Sequence, residues 1–201
     1  YPDRLIPWFR IWGEEGEAGV AKLEHGVREL GVKGFEVSSY REGRYINDPA
    51  YWPFFEKCVE LDIPTRITAG LHLLSDRPYD YAHPKYLDEV AVRFPTLRII
   101  AGLSGWPWVA ETCAIASRHQ NLYIDFACRR VKHMLAPGAG YEALIYYGAR
   151  NLQDKIIFGS GWGTHMIPLA QLVAETDELP LKDSVRAKWM GGNAARVLKL
   201  G

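Results

Sequence analysis

Neither charge is in excess in this sequence: 24 lysines and arginines are matched by 24 aspartates and glutamates over 201 residues. Nucleic acids and anionic membrane surfaces are held by concentrated positive fields, so neither is an expected partner. Long apolar runs are missing too. Nothing approaches the ~18 uninterrupted apolar residues of a membrane span, and no signal-peptide pattern is visible. Cysteine is scarce: Cys58, Cys113 and Cys128 lie far apart in apolar or helical settings. They are expected as reduced thiols in a cytoplasmic protein rather than as a disulfide framework. Repeats, low-complexity runs and linker-like stretches are lacking, which favours one domain over residues 1–201. The glycines of "GSGWGT" (159–164) do not have the spacing of a phosphate loop.

What is present is apolar residues, 48% of the chain, in a strict alternation of strand-like and helix-like stretches. Strand candidates are Leu5–Arg10, Lys33–Val37, Thr65–Ala69, Leu97–Gly102, Leu122–Phe126 and Lys155–Gly159. Between the first two, Val20, Leu23, Val27 and Leu30 recur at helical spacing and Gly31 supplies a stop. Phe54, Cys58 and Leu61 mark a second helix that Pro53 opens in its first turn. "RIIAG" and "KIIFG" are apolar without a break, as in parallel sheets covered on both faces. Strict alternation leaves either a doubly wound sheet or a (β/α) barrel. A closed barrel takes eight strands; six strand–helix units are legible here.

Several polar residues stand where α/β enzymes place their chemistry. His72 follows the third strand candidate among leucines, and His165 follows the last one in a glycine-rich turn with Thr164. Each is a candidate acid–base residue, the plainer alternatives being loop packing and an exposed turn. Glu36 alternates with Phe35 and Val37, so it faces away from the apolar layer and needs a partner, Arg66 or Arg10. Asp125 closes the fifth strand as a third candidate acid–base group. Arg129 and Arg130, followed by Lys132 and His133, form a basic run suited to gripping a carboxylate; a solvated charged loop is the commoner meaning of such a run. Trp106 and Trp108 flank Pro107 at a helix start. Tyr79, Tyr81 and Tyr86 surround His83 and Pro84 in a turn-rich connection suited to subunit contact.

In order along the chain, "YPDRLIPWFR", "LEHGVRELGVKGFEV", "INDPAYWPFFEKCVELDIPTRITAG", "YLDEVAVRFPTLRIIAG", "GWPWV", "RHQNLYID", "LQDKIIFGS" and "GGNAARVLKL" resemble the amidohydrolase-related branch of metal-dependent barrel enzymes. That group contains aminocarboxymuconate-semialdehyde decarboxylase and resorcylate-type decarboxylases. The resemblance implies a TIM-barrel-like α/β fold, incomplete here and lacking the usual first strand with its His-x-His pair. It also implies zinc or another divalent metal. The positions that match the family's remaining ligands carry Leu71, Leu103 and Gly161; a slip of one residue would put His72 at the first. Leucine and glycine side chains offer no donor atom, so no cofactor is expected.

Two functions follow as expectations. One is a hydrolase or carboxy-lyase acting on a small aromatic or unsaturated carboxylate, with His72, Asp125 and His165 as acid–base groups and Glu36, Arg66, Arg129 and Arg130 binding the substrate. The other is a non-catalytic barrel homologue serving as a structural or regulatory subunit. A partial barrel leaves sheet edges and one sheet face to be covered. A homo-oligomer, a partner subunit, or helices folded over the edge would each do so.

Overall fold

The computed structural model describes residues 5–200; Tyr1 and Arg4, at the start of the chain, lie outside the described residues. Six strands form one parallel sheet in sequential order: β1 (Phe9–Arg10), β2 (Phe35–Val37), β3 (Thr65–Thr68), β4 (Ile99–Gly102), β5 (Leu122–Asp125) and β6 (Ile156–Ile157). Each expected strand is present and most are trimmed by a residue or more. The first is cut hardest, because Pro7 has no N–H to give the ladder; its carbonyl accepts from the Lys33 N–H at 3.0 Å. Sequential parallel order is the order of a barrel, with each crossover adding the next strand on the same side. The architecture is that of a partial (β/α) barrel.

The helices among the described residues are α1 (Gly16–Glu29), α2 (Trp52–Glu60), α3 (Tyr86–Arg93), α4 (Val109–Arg118), α5 (Val131–Met134), α6 (Glu142–Gly148), α7 (Trp162–His165), α8 (Leu169–Ala174), α9 (Asp183–Ala187) and α10 (Asn193–Leu198). Successive strand residues point to opposite faces. Phe35, Ile67, Ile99, Leu122, Ile124 and Ile156 turn outward and are fully buried. Against them pack Leu23 of α1, Phe54 and Cys58 of α2, Leu87 of α3, Cys113 of α4 and Leu144 of α6. The helical stripe read in the first helix holds at Leu23. It fails at Leu30, which is exposed because α1 ends one residue before it.

The inward residues are different in kind. Arg10, Glu36, Arg66, Ile100 and Tyr123 share one register row across β1 to β5. Thr68, Gly102, Asp125 and Ile157 stand further towards the C-terminal ends of their strands. α10 covers part of this inner face, setting Val197 against Ile100 and Ile157. It is anchored by Asn193, whose side-chain amide donates to the carbonyls of Gln153 (2.9 Å) and Ile156 (2.7 Å). Trp189, in the π-helical turn Lys188–Gly192, fits against Gly148, where any Cβ would stand 2.4 Å from its ring. The tyrosine-rich connection is folded onto its own chain: Tyr81 and Tyr86 both pack on Tyr45, and Tyr79 stacks on Trp108.

Candidate functional site

The inner face is organised by one guanidinium. Arg66 donates from Nε to Asp125 Oδ2 at 2.6 Å and from Nη1 to Glu36 Oε1 at 3.0 Å. Arg10 donates to the same Glu36 oxygen at 2.7 Å. The partner expected for Glu36 is thus found on both neighbouring strands. Asp125 is a less obvious partner, since it lies two strands from Arg66 with β4 between them. The crossing is possible because β4 presents Gly102 there; a Cβ at Gly102 would lie 2.7 Å from Arg66 Nη2. Burial works against the charge on Arg66, but Asp125 and Glu36 outweigh it and raise its pKa.

Asp125 takes two further hydrogen bonds, from the backbone N–H groups of Leu103 (3.1 Å) and Ala127 (2.9 Å). The first depends on a left-handed turn: Leu103 and Ser104 have φ of 64° and 58°, which side chains other than glycine rarely adopt. Leu103 therefore serves the site through its main chain. The carboxyl group read as an acid–base candidate is buried and takes hydrogen bonds on both oxygens.

Above this cluster, at the C-terminal ends of the strands, lies a cavity of about 480 Å3. This is the end at which barrels carry their sites. Its walls include Arg66, Thr68, His72, Leu103, Trp106 and Arg129, with Tyr40 and Arg41 from the segment after β2. His72 is 6% exposed and stacks on Tyr40, ring centroids 4.7 Å apart. Its Nε2 sits 3.0 Å from the Pro78 carbonyl. A carbonyl only accepts, so Nε2 carries a hydrogen, and Nδ1 finds no partner among the described residues.

The remaining candidates separate. Arg130 is committed to Glu175 through a two-point ion pair. Arg129 has no carboxylate partner among the described residues, and its Cζ lies 5.2 Å from the Trp106 ring centroid. His165, in the single turn α7, is not beside His72; it shares a second cavity with Arg129 and His133. Tyr40, Arg41 and Thr68 were not singled out from sequence. They directly follow or end strands β2 and β3, so strand position alone could have found them.

The matching comparisons agree with this architecture. The amidohydrolase family model covers residues 1–200, and the chain belongs to that family. Gamma-resorcylate decarboxylase of a Polaromonas species is 24% identical over 245 residues, spanning 99% of this chain and 72% of that protein. Among solved structures, an uncharacterised TIM-barrel protein of Bordetella bronchiseptica matches with a TM-score of 0.82 and 26% identity, over 99% of this chain and 68% of its own. A 5-carboxyvanillate decarboxylase of Novosphingobium aromaticivorans matches with a TM-score of 0.73 and 18% identity, over 100% and 66%. The chain thus spans about two thirds of the length of the solved relatives it matches.

That last relative corrects one expectation. It was crystallised with manganese, so the expectation of no cofactor for this chain does not stand; the donorless Leu71, Leu103 and Gly161 were too narrow a basis for it. The described residues on their own do not fit such an ion. No three histidine, cysteine, aspartate or glutamate side chains among them come together to hold a metal, and Asp125 is spent on Arg66 and two backbone amides. No chemical step through a metal follows from these side chains. Among the described residues, no helix is long and apolar enough to cross a membrane.

Proposed function

We propose that the strand-tip cavity binds a small aromatic carboxylate, and that the chain is a carboxy-lyase of the kind its decarboxylase relatives represent. The observation that carries this reading is the charge balance at the mouth. Four arginines line it. Arg10 and Arg66 are matched by Glu36 and Asp125. Arg41 and Arg129 have no carboxylate partner among the described residues and lie over the Tyr40 and Trp106 rings. An unmatched guanidinium beside aromatic and leucine walls suits an anionic head on a flat apolar body. Leu71, Leu73, Leu103 and Trp106 supply those walls. The bare Nδ1 of His72 would accept a hydrogen bond from a ring hydroxyl, and the inner ion cluster below closes the floor with a fixed cation.

Calorimetric titration with 2,6-dihydroxybenzoate and 5-carboxyvanillate tests the binding, and release of labelled carbon dioxide, with and without added manganese, tests the turnover. Saturable binding that Arg41→Met and Arg129→Met each weaken about tenfold is expected. No binding of any aromatic carboxylate would overturn the reading. Binding without turnover supports the second reading, a ligand-sensing or structural subunit. The neutralisation of both inner carboxylates favours it, since Asp125 and Glu36 are tied to arginines rather than free to move protons.

A further inference from the structure

Arg129, Trp106 and Cys128 also border a second cavity of about 430 Å3, whose other walls include His133, Tyr141 and His165. Two buried nitrogens there lack partners. Arg129 Nε and His165 Nε2 are both closed off from solvent, and neither finds a hydrogen bond. Arginine Nε can only donate, and a buried donor left unmade is costly, so native structures rarely keep one without an acceptor arriving from elsewhere.

The local charges point to what that acceptor is. Facing His165 are Arg129, Arg130 and His133, all cationic or able to become so, and one carboxylate, Glu175. Glu175 is already taken by Arg130. The charge of Arg129 is left without a carboxylate among the described residues, and burial first, then Arg130, Arg129 and His133, lower the pKa of His165 below the ordinary imidazole value, Glu175 pulling the other way. Lys132 adds a further positive charge near Glu175. The Tyr141 hydroxyl is pushed up to about 12 by burial, Arg129 pulling the other way, and the Cys128 thiol lies against Thr164. Trp106 is fixed in place, its Nε1 donating to the Ala139 carbonyl at 3.0 Å.

We propose that this second cavity is an anion site separate from the mouth, taking the carboxylate or phosphate group of a small molecule between Arg129 Nε and His165 Nε2. The bound oxyanion accepts from Arg129 directly and from His165 in its protonated form, so occupancy rises as pH falls towards the lowered His165 pKa. The site does not depend on the mouth being catalytic. It shares only the Arg129 wall and its flanking residues with it.

The test titrates the full chain with inorganic phosphate and, separately, with benzoate, read by calorimetry in the wild type and every variant, and also at the His165 ring resonances by NMR where His165 is kept. Saturable binding is expected with both probes, and benzoate, whose charge is constant over this range, should bind more tightly near pH 6 than near pH 8. His165→Gln and Arg129→Lys should each weaken phosphate about tenfold, the latter because lysine keeps the charge and loses the Nε donor. His72→Gln, at the mouth, should leave phosphate binding unchanged. Tighter phosphate identifies a compact oxyanion as the natural group, and tighter benzoate a planar carboxylate. Absence of saturation with both probes would overturn the proposal, as would phosphate binding that His165→Gln leaves intact or benzoate binding that does not change with pH.

Discussion

Replacing Arg66 by methionine keeps most of the side chain's volume and removes the charge on which two carboxylates depend. The two are not affected alike. Glu36 retains Arg10 at 2.7 Å. Asp125 retains only the backbone N–H groups of Leu103 and Ala127, and its side chain is 6% exposed. Breaking a buried pair by deleting one partner typically costs about 3–5 kcal/mol, because the other charge stays behind without compensation. For a chain of this size each kcal/mol moves the melting temperature by roughly 2–4 °C, so Arg66→Met should melt about 6–20 °C below the wild type. Arg66→Met with Asp125→Asn should recover much of that loss, since the orphaned charge is then gone and the amide oxygen still accepts from the two backbone donors. Arg10→Met, on the half-exposed end of the same cluster, should cost only ~0.2–1 kcal/mol. Urea denaturation of these three variants, the Asp125→Asn single variant and the wild type measures all of this, Arg66 and Asp125 forming a double-mutant cycle. A loss below about 1 kcal/mol for Arg66→Met, or costs at Arg66 and Asp125 that simply add, would refute the view that one guanidinium holds the inner face together.

Gly102→Ala should displace the Arg66 guanidinium from Asp125 without touching either charge, costing about 1–3 kcal/mol, read by urea denaturation; a neutral effect would show that Arg66 does not need to pass over β4. Glu42 is a buried carboxylate whose pKa burial raises, although the Tyr51 hydroxyl and the Gly13 N–H both donate to it. A carboxyl with a raised folded-state pKa gives stability that is complete below its unfolded value and lost as pH rises through the folded one. Glu42→Gln should therefore flatten the fall in melting temperature just above pH 4.5, measured by calorimetry across that window. The exposed rim side chains Leu73, Trp162 and Met166, with the open edges of β1 and β6, predict self-association; light scattering should give a mass above that of one chain, falling on dilution.

Much of the fold was legible because it rests on patterns that repeat. Apolar runs such as "RIIAG" placed the strands, and helical spacing at Leu23 and at Phe54 and Cys58 placed the outer layer. Alternation around Glu36 implied a cross-strand arginine, and two were there. The link from Arg66 to Asp125 was not legible, because it spans 59 positions and depends on a glycine in the intervening strand. Nor was the division of the basic run, in which Arg130 is silenced by Glu175 from a distant turn while Arg129 remains unmatched. Sequence placed His72 and His165 on equal terms; the fold sends them to different cavities.

Strands that join the sheet in the order they occur in the chain have a kinetic consequence. Each strand–helix unit finds its neighbour already in place, so a nascent polypeptide could assemble stepwise as it leaves the ribosome, with little searching. The contacts of α10 break this locality: Val197 packs against Ile100 and Ile157, and Lys199 pairs with Asp62 across 137 positions. α10 must itself have been synthesised before those contacts can form, and until then the apolar floor around Ile100 and Ile157 is uncovered.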